Sequence, residues 1–451
     1  MRDPSAGIPA VIDTATTREM RGAAREIFLH SLAKSNISNA FEKHIGYERG
    51  VLRIGEDLYD ISSFSRTFVI AIGKAAHTMT QALMSKMGAG VGVSGIVCGP
   101  TEPGAQVFGF RYYVGGHPMP NAESVKSADA ILRSLGAMTA RGLVIYLISG
   151  GGSSLVEKPI DDAISLEELI ATYKVLVHSG APIAEINAVR KHLSAVKGGR
   201  LALAAAPAHQ VSVLVSDVPE NSLDALASGP TMPDSTTVEQ CEEIVRRHKM
   251  LKQFPPSVRE LFERHALDET PKQSNMTFER SRWWSVLSNS TAQKAAVEQA
   301  AMAGFAVEVD NSCDDWDYVK AADHLLKRVR ELRKGVSRVC LISGGEVTVT
   351  VKGGAGLGGR NQQFALYCAT KIAGENIAVL SAGTDGIDGN SPATGAVVDG
   401  TTLDRAREKS MEASDFLKRF DAFPLLDSLG DTITTGPTGN NVRDLRVLLA
   451  W

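Results

Sequence analysis

The chain contains 451 residues, of which 43% are apolar and 22% charged, a composition that is typical of globular enzymes and excludes disordered and fibrous proteins. This length exceeds what one hydrophobic core normally serves, so we expect two domains, or three. The formal net charge of -3 provides no basic excess for nucleic-acid binding, and no segment approaches the ~20 apolar residues of a membrane-spanning helix.

The five cysteines are scattered along the chain and never form a C-x-x-C pair. This pattern indicates buried thiols of a reducing compartment rather than disulfides or zinc ligands. The N-terminal residues also lack the apolar core of a signal peptide. We therefore expect a cytoplasmic protein that binds neither nucleic acid nor membrane, and we leave a homodimer open.

Strand and helix patterns alternate through the first half of the chain. After an amphipathic helix at residues 16–32, apolar runs predict strands at 67–72, 95–98, 111–114, 143–148 and 211–215. Helical periodicity lies between them, at about 76–86, 122–135, 165–178 and 183–196. This alternation predicts a Rossmann-like parallel sheet with helices on both faces.

A polar segment at 268–282 is the best candidate for a domain boundary, because a second strand–helix series begins after it. That series has strands at 284–287, 346–352 and 377–381, an apolar strand ending at 343–345, and helices at 292–302, 319–334 and 360–372. We expect two three-layer α/β domains, at 1–275 and 276–451.

Five glycines among residues 353–359 open the predicted helix that begins at Arg360. A glycine loop before a helix presents backbone N–H groups and the positive end of the helix dipole, and Arg360 adds a fixed positive charge. The next strand delivers a loop that carries Asp385 and Asp388. An anion site beside a metal or base site makes phosphoryl chemistry our first hypothesis.

Two alternatives apply to the same glycine run. Gly354, Gly356 and Gly359 fit the G-x-G-x-x-G pattern of dinucleotide sites. Such a site needs an acidic residue about 20 positions further on, and Asp385, which lies 26 positions after Gly359, is close enough not to exclude it. The run could also be a tight turn that needs glycine only for positive φ. The attached arginine and aspartates favour the phosphate site over both.

Other predicted strands also end in polar or glycine-rich loops, where ligands of open α/β sheets bind. Lys74 lies at the turn after the strand 67–72, residues 149–153 read Ser-Gly-Gly-Gly-Ser, and Asp217 follows the strand 211–215. Lys74 could reach a phosphate at a helix N-terminus, or it could be a solvated surface lysine. Asp217 and Asp385 could hold magnesium or act as N-caps.

The segment 185–202 is the most cationic of the chain. On a helix, Asn187, Lys191 and Ser194 share one face, while Arg190 and Lys197 point elsewhere. An anion site and a solvated basic helix both fit this pattern. The P-loop pattern G-x-x-x-x-G-K-[ST] does not occur, so a P-loop nucleotide site is excluded.

Ten motifs in fixed order carry a resemblance to a known family. They are GKAA (73–76), GHPMPN (116–121), SGGGSSL (149–155), INAVRKHLSAVKGGRLA (186–202), SDVPEN (216–221), ASGPTMPDST (227–236), SGGEVTVTVKG (343–353), GGRNQ (358–362), GTDGIDG (383–389) and TGPTGNNVRDL (435–445). Over almost its whole length the chain resembles the class II glycerate kinases, or glycerate 2-kinases, whose C-terminal part is the MOFRL domain, here about 335–449. The resemblance implies two α/β domains with the active site in the cleft between them, and we expect the Lys74 turn and the Arg360 loop to face each other across this cleft. It also implies phosphorylation of D-glycerate to 2-phosphoglycerate with ATP and Mg²⁺, and catalytic roles for Lys74, Arg360 and Asp385.

We accordingly predict two further sets of site residues. Those that would bind substrate or phosphate are Ser149, Gly150, Gly151, Gly152, Ser153, Asn187, Arg190, Gly358, Gly359 and Asn440, and those that would bind metal are Asp217 and Asp388. The chain departs from the family pattern at Asn121, at Glu220-Asn221 and at Asn440-Asn441, which bears on the metal shell and the substrate fit. Members of the family have also been labelled hydroxypyruvate reductases, so an NAD(P)H-dependent reductase is one alternative, and a non-catalytic nucleotide- or sugar-acid-binding protein is another.

Overall fold

The structure is a computed structural model that describes residues 14–88, 90–351 and 353–451. It divides into two compact units, one formed by residues 37–286 and the other by residues 14–36 together with 287–451. The division therefore differs from the predicted 1–275 and 276–451. The N-terminal helix belongs to the later unit because its apolar face, with Ala24, Ile27 and Phe28, is buried in that unit's core.

Fifteen strands are present in the described residues, and most lie where apolar runs are bounded by turn residues. They are β1 (Ile45–Glu48), β2 (Val51–Ile54), β3 (Asp57–Asp60), β4 (Arg66–Ile72), β5 (Val93–Gly99), β6 (Phe110–Val114), β7 (Gly142–Ser149), β8 (His209–Val215), β9 (Ser281–Leu287), β10 (Ala306–Val309), β11 (Val339–Gly344), β12 (Ile377–Gly383), β13 (Gly395–Asp399), β14 (Thr432–Ile433) and β15 (Asp444–Ala450).

The helices of the described residues include several that begin with a capping box, such as those at Asn121 and Ser165. They are α1 (Thr14–Lys34), α2 (Ile37–His44), α3 (Ala76–Met87), α4 (Ala122–Gly136), α5 (Gly152–Leu155), α6 (Leu166–His178), α7 (Ile183–His192), α8 (Arg200–Ala205), α9 (Val238–Arg247), α10 (Pro256–Glu263), α11 (Asn289–Met302), α12 (Tyr318–Arg333), α13 (Arg360–Lys371), α14 (Thr402–Glu408), α15 (Ala413–Lys418) and α16 (Ala422–Ser428).

The unit 37–286 is built on a six-stranded sheet with the order β6-β5-β4-β7-β8-β9. The pairs β5–β6, β4–β5, β4–β7 and β7–β8 are all parallel, as the alternation of strands and helices predicts. Because β9 lies beside β8, the prediction that residues 284–287 begin the second series is wrong. A small antiparallel sheet, β1-β2-β3, precedes the large one and was not predicted.

The other unit contains a mixed six-stranded sheet with the order β10-β11-β15-β12-β13-β14. The last strand of the chain, β15, is antiparallel to both β11 and β12 and lies between them. Alternate residues of β11 face opposite sides: Val339 and Leu341 pack with α12 and α13, while Cys340 and Ile342 pack with α1 and α11. The unit is therefore a three-layer α/β structure.

The predicted strand at 346–352 does not form. Residues 346–351 are irregular apart from one bridge between Asp317 and Thr348, and residue 352 lies outside the described residues. The chain leaves the sheet at Gly345, whose φ of +88° is unsuited to a continuing strand. The alternation of Val and Thr thus reflects an irregular segment that returns to residues 315–318 through backbone hydrogen bonds.

No helix in the described part of the chain is both long and apolar enough to span a membrane. All five cysteines are buried and unpaired, as their spacing indicated.

Candidate functional site

The turn after β4 is tied to the loop that follows β7. The N–H of Lys74 donates to the carbonyl of Gly150 (2.9 Å), and the N–H of Ala75 donates to the Ser149 hydroxyl (3.0 Å). Gly73 has a φ of +126°, and a Cβ at that position would lie 2.2 Å from Ser149 Oγ. The two parallel strand ends are thereby brought together, as the sheet topology requires, with the exposed Lys74 side chain at their junction.

The glycines of the loop 149–153 are required by close approach of other groups. A Cβ on Gly151 would lie 3.1 Å from Lys74 Cγ and 3.4 Å from His117 Cε1, and Gly151 has a φ of +80°. A Cβ on Gly150 would overlap the Asp217 carboxylate, 1.8 Å from its Oδ2. Lys74, Asp217 and the glycine loop, which the sequence predicted separately, therefore form one cluster.

His117 belongs to the same cluster and was missed by the prediction. Its Nδ1 lies 3.2 Å from Ser154 Oγ, and burial, with the added charge of Lys74, lowers the pKa of the imidazole. The signal was the motif GHPMPN, which carries His117 to the end of β6. Ser153 lies in α5, the single helical turn that continues this loop.

Two lysines of the cationic segment 185–202 are neither solvated nor open to an external anion. Lys191 is buried and lies 3.0 Å from Asp224 and 3.1 Å from Asp234. Lys197 is buried and paired with Glu157, whose carboxylate also accepts a hydrogen bond from Tyr173. These lysines therefore neutralise internal carboxylates.

The two predicted ligand-binding residues of this segment lie on α7. The Arg190 guanidinium lies 5.0 Å from the centre of the Tyr173 ring, and burial lowers its pKa. Its Nε is buried without a hydrogen-bond partner among the described residues. Asn187 is half-buried one turn earlier. Their binding roles stay predictions.

In the other unit, Arg360 is the first residue of α13, and its guanidinium is held by carboxylates. Nε and Nη2 donate to Asp444 at 2.6 and 3.0 Å, and Nη2 lies 2.7 Å from Glu346 Oε1. Burial alone would lower the pKa of Arg360, but the hydrogen bonds and charge of Asp444, with the charge of Glu346, raise it above its ordinary value. The arginine is therefore a permanent cation with internal partners.

Asp388 occupies the start of α13 itself. Its carboxylate accepts hydrogen bonds from the backbone N–H groups of Asn361 (3.1 Å) and Gln362 (2.9 Å) and from both of their side-chain amides. Burial raises its pKa to about 6, although these hydrogen bonds oppose the rise. Gly359 has no room for a side chain because Asp388 lies against it. The anion at this helix N-terminus is therefore a side chain of the protein, and the geometry favours a cap at Asp388 over the predicted metal ligand.

The other glycines that precede α13 also have structural roles. Gly358 has a φ of +136°, and its N–H donates to the Asn390 side chain at 2.9 Å. The dinucleotide pattern lacks its structural context here, because the preceding segment is irregular and the helix N-terminus is capped by Asp388.

A pocket of about 620 Å³ lies beside Arg360 and is lined by carboxylates. Asp385 lines it and accepts a hydrogen bond from the N–H of Ile387 (3.2 Å). The predicted residue Asn440 is buried nearby in the loop 436–440, which reaches Asp385 through the hydrogen bond from Thr438 N–H to the Asp385 carbonyl (3.1 Å). The Asn440 amide donates to the carbonyl of Ser35.

Three carboxylates of this site were missed: Asp315, Glu346 and Asp444. Glu346 and Asp444 stand in motifs that the sequence had singled out, SGGEVTVTVKG and TGPTGNNVRDL, and these were the available signal. The prediction that the Lys74 turn and the Arg360 loop face each other across a cleft stays a prediction.

The acidic pocket fits the chemistry of magnesium. Among the described residues no three His, Cys, Asp or Glu side chains converge into a ready-made metal site. Mg²⁺ is commonly held by only one or two carboxylates while substrate phosphates and water supply the remaining oxygen atoms. Asp385 and Glu346, which line the same pocket, provide such carboxylates.

Both the N-terminal and the C-terminal part of the chain match known protein families. Residues 23–263 match the domain of unknown function DUF4147, and residues 339–444 match the MOFRL family. The chain is 36% identical to the D-glycerate 2-kinase of Thermotoga maritima, over 85% of this chain and 90% of the relative, and 34% identical to the glycerate 2-kinase of Pyrococcus horikoshii, over 85% and 87%. The crystal structure of the Thermotoga maritima glycerate kinase matches with a TM-score of 0.82 at 32% identity, over 96% of this chain and 100% of that one.

Proposed function

The chain belongs to the family in which a DUF4147 domain is followed by a MOFRL region, the family of the glycerate 2-kinases, and we propose that it transfers the γ-phosphate of ATP to D-glycerate. The oxygen of the 2-hydroxyl group forms the new bond to phosphorus and loses its proton, and the bond between the β- and γ-phosphates breaks. The products are 2-phosphoglycerate and ADP. The proposed setting is the cytoplasm, which suits five unpaired thiols.

The observation that carries the proposal is the cluster of Lys74 with the glycine loop 149–153. The transferring phosphoryl group needs cations around its oxygens more than it needs covalent help from the protein. Lys74 is an exposed cation at the turn after β4, and its side chain lies against the loop 149–153. Ligands of open α/β sheets bind at such strand ends, so we assign Lys74 to neutralise charge on the transferring group.

Asp385 is the proposed acidic residue of the reaction. Its carboxylate lines the pocket beside Arg360, where it would orient or deprotonate the 2-hydroxyl group, or hold Mg²⁺ together with Glu346. Bound Mg²⁺ would neutralise charge on the nucleotide phosphates. Removing one such contribution typically costs ~10²–10³ in rate, so Asp385→Asn should lose turnover on that scale.

A reductase would need a nicotinamide site, and its only support in the sequence was the glycine run. That run does not follow a strand, and Asp388 occupies the helix N-terminus where a pyrophosphate would bind. We therefore propose the kinase alone.

Two assays on the purified protein test the proposal. ATP, Mg²⁺ and D-glycerate should yield ADP, and phosphorus NMR should identify the product as 2-phosphoglycerate rather than its 3-isomer. Hydroxypyruvate with NADH should show no oxidation. L-glycerate serves as the matched control for recognition at the 2-position. Oxidation of NADH without ADP formation would establish the reductase, and binding of D-glycerate without either product would favour a non-catalytic sensor.

A further inference from the structure

The two carboxylates that hold Arg360 differ in how firmly they are fixed. Asp444 accepts two hydrogen bonds from one edge of the guanidinium, and its side chain is 1% exposed. Glu346 contacts one atom of the guanidinium, Nη2, and its side chain is 30% exposed and lines the pocket. The first contact is a buried bidentate pair, and the second is a single contact within reach of a ligand.

Asp444 is fixed by the backbone on both sides. It begins β15 and is paired with Gly383 of β12, while its carbonyl accepts a hydrogen bond from the Asn289 side chain (3.0 Å). The residue before it, Arg443, has a φ of +71°, and its carbonyl is held by both the N–H (3.1 Å) and the hydroxyl (2.8 Å) of Thr384. A carboxylate on so constrained a backbone sets the direction of the guanidinium that it binds.

The backbone of Glu346 is anchored on both sides. It lies on the irregular segment after β11, where its N–H donates to Asp314 (3.0 Å) and its carbonyl accepts from the N–H of Asp315 (2.8 Å). Asp314 is held in turn by two hydrogen bonds from Arg443, at 2.5 and 2.7 Å. Because these anchors hold the backbone, a change of the Glu346 side-chain rotamer moves the carboxylate away from Arg360 while residue 346 stays in place.

We propose that Asp444 is a positioning residue that aims Arg360 into the pocket, and that Glu346 is an internal carboxylate that covers the free edge of the guanidinium until an anionic group of a substrate replaces it. The inference rests on the proposed function for the identity of the substrates. The displacing group is a carboxylate or phosphate oxygen, because these match the fork of an arginine. It comes either from D-glycerate or from the nucleotide, and the binding experiments below distinguish the two.

The positioning role is tested by a double-mutant cycle on kcat. Asp444→Asn and Arg360→Lys should each lower kcat by about 10², because each removes the fixed direction of the guanidinium. If Asp444 acts through Arg360, the double variant should be no slower than the slower single variant, within about threefold. Losses that multiply to about 10⁴, or a normal kcat in Asp444→Asn, would overturn the assignment.

The matched control is Glu375→Gln. It breaks another bidentate pair of the same unit, in which Arg330 lies 2.9 and 2.6 Å from Glu375, away from the residues that line the pocket. Kinetics should be unchanged in this variant. Asp444→Asn must also show a melting temperature and circular dichroism close to wild type; if it does not fold, the binding experiment on Glu346 decides the proposal.

The covering role is tested by calorimetric titration of wild type and Glu346→Gln with D-glycerate and, separately, with ADP in the absence of Mg²⁺. Removal of the competing charge should strengthen the binding of one of the two by several-fold, and the ligand that gains identifies the displacing group. Equal or weaker binding of both ligands would contradict the proposal. Because binding is measured without turnover, the result is independent of whether the kinase assay succeeds.

Discussion

The regions around Lys74 and Arg360 both place a cation at the ends of strands, but they are built in different ways. Around Lys74 the contacts come from a glycine loop: a Cβ on Gly150 would overlap the Asp217 carboxylate, and a Cβ on Gly151 would lie 3.1 Å from Lys74 Cγ. Around Arg360 the partners are side chains, because Asp444 and Glu346 contact its guanidinium. The first cation is exposed, and the second is engaged in ion pairs.

Because of this difference, we expect the two regions to bind anions in different ways. The Lys74 ammonium is exposed and forms no ion pair within the described residues, so it can bind a phosphate without first losing a carboxylate partner. A guanidinium with two carboxylates, in a pocket that also contains Asp385, lies in an acidic environment and would bind a free anion poorly unless a cation entered with it. Substitutions at the two regions should therefore have different effects on turnover and on stability.

The largest expected effect is that of Lys74→Ala. Loss of one cation aimed at the transferring phosphate typically costs ~10²–10³ in rate, so kcat should fall on that scale while the melting temperature stays near that of wild type. The control is Lys126→Ala, which removes a surface lysine of the same unit that is paired with Glu123. Near-normal turnover in Lys74→Ala would show that Lys74 is a surface residue and that the map of the site is wrong.

The second prediction concerns the side-chain region and the stability of the fold. Burial raises the pKa of Asp388 from 3.8 to about 6. The folded state therefore favours the protonated form, and the resulting stabilisation is complete below pH 3.8 and is lost as the pH rises through 6. Since one pKa unit corresponds to 1.36 kcal/mol, the full difference is about 3 kcal/mol, of which about 1–2 kcal/mol falls between pH 5 and 7.5.

Asp388→Asn should remove this pH dependence, because its side chain does not ionise. The free energy of unfolding in urea should fall between pH 5 and 7.5 by about 1–2 kcal/mol more in wild type than in the variant. Comparison across pH is needed because an amide retains only one acceptor oxygen for the start of α13. Asp404→Asn, which changes an exposed aspartate paired with Arg407, should leave the wild-type dependence intact. Equal pH dependence in Asp388→Asn and wild type would contradict the assignment.

Local patterns in the sequence predicted much of the fold. The predicted helix at 122–135 and strand at 143–148 correspond to α4 and β7, because an amphipathic helix carries its own period and a fully buried strand is a continuous apolar run. The position of β15 between β11 and β12 and the membership of α1 in the later unit could not be predicted in this way. Both depend on pairing and packing between segments more than 60 residues apart, and no local period records such contacts.

For the candidate site as well, local patterns predicted some features, and contacts between distant segments could not be predicted. Lys74 and the loop 149–153 were predicted because strand ends of a parallel sheet share one edge. The engagement of Arg360 by Asp444 joins residues 84 positions apart across an antiparallel pair that had not been predicted. Charge alone could not show that Lys191 and Lys197 form ion pairs with buried carboxylates. A basic segment has the same sequence pattern whether its side chains are solvated or paired with buried carboxylates.

The smallest expected effect comes from adding a single methyl group to the loop 149–153 beside Lys74. Gly151→Ala should lower kcat about tenfold, because the new Cβ would lie 3.1 Å from Lys74 Cγ and would shift the lysine side chain. Gly151 has a φ of +80°, so alanine also introduces backbone strain of roughly 1–2 kcal/mol. Gly180→Ala separates the two contributions: its φ of +76° imposes the same strain, but nothing lies within 4 Å of its Cβ position. Both variants should therefore lose similar stability in thermal unfolding, and only Gly151→Ala should lose turnover. Equal kcat in the two variants would mean that the spacing between Lys74 and the loop does not limit the reaction, and that the glycine at 151 serves the turn alone.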